Sequence, residues 1–111
     1  MRIAVLDIGG TSIKSGLWNG QELVEVREQD TEAKKGAAHV VSRILEILET
    51  YRPFDGVGIS TAGQVNSEEG YIRYANENIP GYTGTRLKDI VASEFGTPVA
   101  VENDVNAAAL G

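Results

Sequence analysis

The sequence predicts an α/β fold in which a mixed β-sheet opens with a three-stranded antiparallel meander and is covered by helices. Three observations lead to this prediction. Residues 3–6 form a short, uninterrupted apolar run, which is typical of a strand buried on both faces. The pair Asn19-Gly20 lies between two strand-like segments, 13–18 and 22–28, and is a strong hairpin signal because both residue types tolerate positive φ. From about residue 36 the apolar residues recur at a helical period.

Two amphipathic helices follow from this periodicity. The first has apolar side chains at positions i, i+3, i+4 and i+7 on one face: Val41, Ile44, Leu45 and Leu48. It must end before Pro53, because the residue preceding a proline is disfavoured in the α conformation. The second helix is predicted at about 85–94, with Gly96 as its stop.

The other strands lie between and after these helices. A strand at 57–60 leads into a polar, glycine-containing stretch with a possible hairpin at 68–70. A last strand is expected at 99–101, and residues 105–111 have the composition of a beginning helix. Because a single helical turn is not stable without further residues, we expect this chain to be part of a longer protein.

Composition excludes several classes of function. The 111 residues include 16 acidic and 10 basic side chains, and the resulting net charge of −6 disfavours binding to a nucleic acid. The absence of cysteine excludes a thiol nucleophile and a cysteine-ligated zinc site within these residues. The apolar runs are too short to cross a bilayer, and an acidic residue at position 7 is unlike a signal peptide. We therefore expect a cytoplasmic protein with neither a nucleic-acid nor a membrane partner, and leave homo-oligomer formation open.

The segment Asp7-Ile8-Gly9-Gly10-Thr11 is a candidate phosphate-binding turn. The backbone N–H groups of paired glycines between two strands can approach an anion closely. The Thr11 hydroxyl and Lys14 would add a donor and a positive charge. A carboxylate beside a phosphate requires a divalent cation between them, so Asp7 implies Mg²⁺ bound through water. The alternative is a tight hairpin with an ordinary Asx turn.

The segment Glu102-Asn103-Asp104-Val105-Asn106 is a candidate catalytic segment. It follows a strand, and ligands bind at the carboxyl ends of strands in α/β sheets. Asp104 could accept a proton from an alcohol, and Asn103 could hydrogen-bond a neighbouring hydroxyl of the same substrate. The alternative is that one of these residues only caps the following helix. Two small, polar loops, 60–63 and 80–85, suit a wall around a polyol but are equally consistent with ordinary connections.

Taken together, these segments resemble the N-terminal half of the ROK family, which comprises bacterial sugar kinases and related sugar-responsive repressors of the actin-like ATPase (ribonuclease H-like) superfamily. The resemblance spans essentially the whole chain and rests on four motifs in the same order: Asp7-Ile8-Gly9-Gly10-Thr11 with Lys14, Gly58-Ile59-Ser60-Thr61-Ala62-Gly63, Ile79-Pro80-Gly81, and Glu102-Asn103-Asp104-Val105-Asn106-Ala107.

The resemblance implies phosphorylation of a hexose or hexosamine hydroxyl, usually that on C6, by ATP with Mg²⁺. It makes Asp104 the general base, places Asn103, Asp104 and Gly63 at the sugar, and turns the segment from Asp7 to Thr11 toward the ATP phosphates. Family members are more than twice as long, and this chain lacks their adenosine-binding segment, their Glu-x-Gly-His motif and their zinc loop. Residues 1–111 would then be an N-terminal lobe that is inactive when isolated.

Two other functions remain open at this point. The lobe could sense a sugar in a ROK-type transcriptional repressor, although the early start of the first strand and the acidic charge favour a kinase. It could also be a small sugar-binding module. The sequence leaves the sugar open among glucose, N-acetylmannosamine, N-acetylglucosamine, fructose and β-glucosides.

Overall fold

The computed structural model describes residues 1–61, 64–66, 71–74, 81–82 and 84–103; for 64–66, 71–74 and 103 it describes the backbone alone. Seven strands and two α-helices occur in these ranges, in the order β1 (Ile3–Ile8), β2 (Ser12–Trp18), β3 (Leu23–Asp30), α1 (Ala37–Glu49), β4 (Gly56–Thr61), β5 (Gln64–Asn66), β6 (Tyr71–Tyr74), α2 (Leu87–Phe95) and β7 (Val99–Asn103). A short 3-10 helix, Ala33–Lys35, precedes α1.

Five of the strands form one mixed sheet in the order β3-β2-β1-β4-β7. The strands β1, β2 and β3 pair antiparallel, which confirms the predicted meander. The strands β1, β4 and β7 run parallel, so their carboxyl ends meet at one edge of the sheet. The remaining two, β5 and β6, form the predicted hairpin, although residues 67–70 lie outside the described residues.

The strands extend further than their apolar runs. Ile8 pairs with both Ile13 and Thr61, so β1 continues past its apolar run. Thr61 in turn pairs with Asn103, which brings two residues of the candidate catalytic segment into β7. Backbone hydrogen bonds to neighbouring strands set these ends, and the apolar pattern of a single strand does not report them.

The two helices pack their apolar faces over one side of the sheet. The buried face of α1 is rotated from the prediction: Ile44 and Leu48 are buried as expected, but Val40 and Ile47 replace Val41 and Leu45, which are only partly buried. The reason is that the buried row of α1 side chains continues beyond the end of the helix to Tyr51, which is also buried. α2 ends at Gly96 in the left-handed conformation (φ 65°), as predicted.

The core between helices and sheet contains no charged side chain among the described residues. Its largest fully buried members come from all the layers: Tyr51, Tyr82, Ile8, Ile13, Leu17, Ile44, Leu48 and Leu87. Neither described helix has the length and apolar character needed to cross a membrane. The predicted helix start at 105–111 lies outside the described residues.

Candidate functional site

The candidate phosphate turn joins β1 to β2 at the carboxyl edge of the parallel strands. Its backbone is closed by a hydrogen bond that the Gly9 amide donates to the Ser12 carbonyl oxygen, with a length of 2.9 Å. A Cβ atom added to Gly9 would lie 3.2 Å from that same oxygen. A side chain is therefore disfavoured at this position, which gives the first glycine of the motif a physical reason.

Thr31, which directly follows β3, fixes this turn from the side. Its amide donates a hydrogen bond of 2.9 Å to the Thr11 carbonyl oxygen, and its hydroxyl donates one of 2.8 Å to the Gly9 carbonyl oxygen. The side chain is fully buried. Two bonds from one residue thus hold both ends of the segment 9–11, so the turn is preorganised rather than free to move.

Four polar side chains form a row across the sheet beside the turn. In register, Lys14 pairs with Asp7, Asp7 with Ser60, and Ser60 with Glu102. Side chains of paired residues lie on the same face of the sheet, so this row connects the candidate phosphate turn with the candidate catalytic segment. The Ser60 hydroxyl donates a hydrogen bond of 3.1 Å to Asp7 Oδ1. The structure records no ion pair between Lys14 and Asp7.

Asp7 has the chemistry expected of a residue that contacts hydrated Mg²⁺. Its side chain is exposed at the carboxyl edge, and Ser60 orients one carboxylate oxygen. Mg²⁺ prefers oxygen ligands, keeps several waters, and is commonly bound by one or two carboxylates together with substrate phosphates. Within the described ranges no group of three or more His, Cys, Asp or Glu residues assembles that could hold a metal by itself.

The predicted sugar-binding end is described only in part. Asn103 is the last residue of β7, and its backbone pairs with that of Thr61. The strand β4 separates β1 from β7, so the ends of these two strands are about 10 Å apart, which is twice the usual strand spacing. Gly63 and Asp104 lie outside the described residues.

Tyr82 fixes the second polar loop to the end of β4. Its hydroxyl is hydrogen-bonded to the Thr61 hydroxyl at 2.8 Å, and both side chains are buried. Gly81 and Gly84, on either side of this segment, have φ values of 78° and 86°, which glycine adopts without strain. Tyr82, which belongs to the loop that the sequence analysis offered as a wall around a polyol, thus lies against β4, the strand next to β7.

A charged cluster lies beside the turn, on the stretch between β3 and α1. Glu32 has a left-handed backbone (φ 54°), and its amide donates to Asp30 Oδ1. Its carboxylate contacts Lys35 at 2.9 Å, Arg43 at 2.9 Å and His39 at 3.1 Å. Hydrogen bonds from Lys35 and His39, supported by the charges of Lys35 and Arg43, lower the pKa of Glu32 to about 2.

Sequence reasoning found the turn but missed the residues that support it. Thr31 acts on the turn from the end of β3, far away in sequence, and no local pattern marks it. Ser60 and Glu102 lie in segments that the sequence analysis had identified, but their register with each other and with Asp7 was not predicted. Tyr82 had one usable signal, an aromatic residue between glycines in a polar loop. Burying it would anchor the loop.

Relatives share the whole of this segment. The model of the ROK family matches residues 3–111. An uncharacterised protein of Clostridium perfringens is 46% identical over 97% of this chain and 38% of its own length. A glucokinase of Thermotoga maritima is 34% identical over 100% of this chain and 36% of its own. An N-acetylmannosamine kinase of Pasteurella multocida is 34% identical over 98% of this chain and 37% of its own. The chain thus spans less than two-fifths of the length of these relatives.

Solved structures agree with the fold. A ROK family glucokinase from Streptomyces griseus, determined in complex with glucose and AMPPNP, is 31% identical with a TM-score of 0.85, over 98% of this chain and 35% of the other. A ROK family transcriptional regulator is only 23% identical, with a TM-score of 0.79 over 98% of this chain and 29% of the other, and shows the fold alone. The predicted fold class is therefore confirmed, and the chain belongs to the ROK family of the actin-like ATPase fold.

Proposed function

We propose that this chain is the N-terminal lobe of a ROK sugar kinase, and that the full-length protein transfers the terminal phosphate of ATP to a hydroxyl of a hexose or hexosamine, the C6 hydroxyl being the expected acceptor. The observation that supports this proposal most is that the phosphate turn after β1 and Asn103 at the end of β7 lie at the same edge of one sheet, where the parallel strands end. Relatives of this segment are named as sugar kinases. We also propose a cytoplasmic location, where ATP is available.

The phosphate donor would lie against the turn that follows β1. The backbone amides of the segment 9–11, the Thr11 hydroxyl and the Lys14 ammonium group would bind its phosphate oxygens. Asp7 would hold a water of hydrated Mg²⁺, which neutralises phosphate charge when bound. The bonds from Thr31 favour this assignment, because a phosphate site gains most from donors that are already fixed.

Asp104 would accept the proton of the attacking hydroxyl. In the transfer, that hydroxyl oxygen forms a bond to the terminal phosphorus, the bond from this phosphorus to the bridging oxygen breaks, and ADP leaves with the electron pair. Asn103 and Gly63 would position the sugar through a hydroxyl contact and close backbone approach. The separation of about 10 Å between the ends of β1 and β7 leaves room for a terminal phosphate and a sugar hydroxyl between them.

Replacement of Asp104 tests the catalytic part of this proposal. We expect Asp104→Asn to lower kcat by about 10²–10⁴-fold in the full-length protein while the sugar KM changes little, because the amide cannot accept the proton. Asp89→Asn is a matched control, since Asp89 is exposed on α2 and pairs only with its neighbour Arg86 among the described contacts. Wild-type turnover in the Asp104 variant would leave helix capping as the role of this residue.

A further inference from the structure

An open cavity of about 620 Å³ lies directly beside the phosphate turn. Gly10 and Thr11 form one wall, and the stretch that follows β3 forms the other: Asp30, Glu32, Ala33, Lys34 and Lys35. Its volume is within the range of small-molecule sites. The predicted phosphate site therefore continues sideways, away from the ends of β4 and β7, into a space that the sequence analysis did not identify.

The wall of this cavity opposite the turn is held in place by several bonds. The Thr31 bonds to Gly9 and Thr11 fix its beginning, and the Asp30 carboxylate accepts the Glu32 amide at 2.7 Å. Ala33 is buried against the core, which anchors the 3-10 helix. The two walls therefore keep a fixed separation, as a binding site requires.

Among the described side chains of this wall, one positively charged group is not paired with a carboxylate. Lys35 is paired with Glu32 at 2.9 Å, and Arg43 contacts the same carboxylate. Lys34 is exposed and lines the cavity, and its side chain has no ion pair or hydrogen bond in the part of the chain that the structure describes. Glu32 is neutralised by its two neighbours, but the Asp30 carboxylate also lines this wall and forms none of the described ion pairs. The charged side chains Asp30, Glu32, Lys34, Lys35 and Arg43 together carry one net positive charge, and without Lys34 they would carry none.

We infer that this cavity binds the phosphate chain of the donor, and that Lys34 contacts the chain beyond the phosphate held by the turn. The ligand class is a linear chain of at least two linked phosphates, supplied either by a nucleoside triphosphate or by an inorganic polyphosphate. The inference rests on the proposed function for the turn but adds a second wall and a cation to it. Lys34 would raise affinity for the chain and leave sugar binding unchanged.

Calorimetric titration of the full-length protein tests this directly. Phosphate, pyrophosphate and tripolyphosphate are titrated with Mg²⁺ in separate experiments, and we expect affinity to rise with chain length. Lys34→Ala should weaken tripolyphosphate binding about threefold to tenfold, as expected for loss of one charge-assisted contact in a partly exposed site. Lys34→Arg should restore most of it, and Lys88→Ala, which removes the same charge from α2, should have no effect. Titration with ATP distinguishes the source of the phosphate chain. If Lys34→Ala lowers the affinity for ATP and for tripolyphosphate equally, the cavity binds the phosphate chain and makes no contact with the nucleoside.

The outcomes separate this inference from the proposed function. Equal binding of tripolyphosphate by wild type and the Lys34→Ala variant overturns the inference, even where the protein phosphorylates a sugar. Weaker binding in that variant supports it, even where every sugar tested fails as a substrate. A loss of glucose binding of the same size as the loss of tripolyphosphate binding would also overturn it, because Lys34 would then act through general destabilisation.

Discussion

Replacing Thr31 with valine removes one hydroxyl from beneath the phosphate turn and leaves the shape of the side chain nearly unchanged. The hydroxyl is fully buried and donates a bond of 2.8 Å to the Gly9 carbonyl oxygen. A net hydrogen bond contributes about 0.5–1.5 kcal/mol, and a buried acceptor that loses its donor costs more. We therefore expect the free energy of unfolding to fall by about 1.5 kcal/mol. Since 1.4 kcal/mol corresponds to tenfold in an equilibrium, the KM for ATP should rise by at most about tenfold.

The matched variant Thr31→Ser keeps the hydroxyl and loses a buried methyl group, which costs about 0.8 kcal/mol. Urea denaturation of the full-length protein should show both variants to be destabilised. Steady-state kinetics should then separate them, because only the valine variant loosens the turn: its KM for ATP rises, while the KM for the sugar stays constant. An ATP defect of equal size in both variants, or a parallel rise in the sugar KM, would refute the proposed support of the turn by Thr31.

Two further predictions concern the polar row and the charged cluster. Ser60→Ala frees the carboxylate of Asp7, so the Mg²⁺ concentration for half-maximal activity should rise about threefold to tenfold, with the sugar KM unchanged; an unchanged Mg²⁺ requirement would contradict a role for this pair. The lowered pKa of Glu32, about 2 against an ordinary 4.5, means that its carboxylate stabilises the fold above about pH 4.5 and that this contribution is lost as the pH falls toward 2. Acid unfolding should therefore be less steep in Glu32→Gln than in wild type, whereas Glu46→Gln, on the exposed side of α1, should follow wild type.

Much of the fold was predictable because its signals are local. The meander follows from Asn19-Gly20 between two strand-like segments, and α2 from its apolar spacing and the glycine at its end. The strand ends were not predictable in the same way. Ile8 and Asn103 belong to strands because they pair with residues of other strands. The face that α1 buries depends on Tyr51, the buried aromatic residue beyond the end of the helix.

The candidate site likewise has features that the local sequence predicts and features that depend on distant segments. The role of the glycines in the turn was predictable, because close backbone approach is a requirement of the segment itself. The 3.2 Å between a Cβ atom added to Gly9 and the Ser12 carbonyl oxygen agrees with it. The support from Thr31 was not predictable, and neither was the place of Lys34 in the cavity beside the turn, because both residues belong to a segment about twenty residues away in sequence. Their roles arise only when β3 pairs with β2 and the following 3-10 helix folds back beside the turn.

The most direct test of the central claim is ADP release by the full-length protein in a coupled assay, measured with ATP, Mg²⁺ and a panel of sugars that includes glucose, N-acetylmannosamine, N-acetylglucosamine, fructose and a β-glucoside. We predict ADP release that requires one of these sugars and yields its phosphate ester. A full-length protein that binds one of these sugars in a separate titration but releases no ADP with any of them would contradict the kinase assignment.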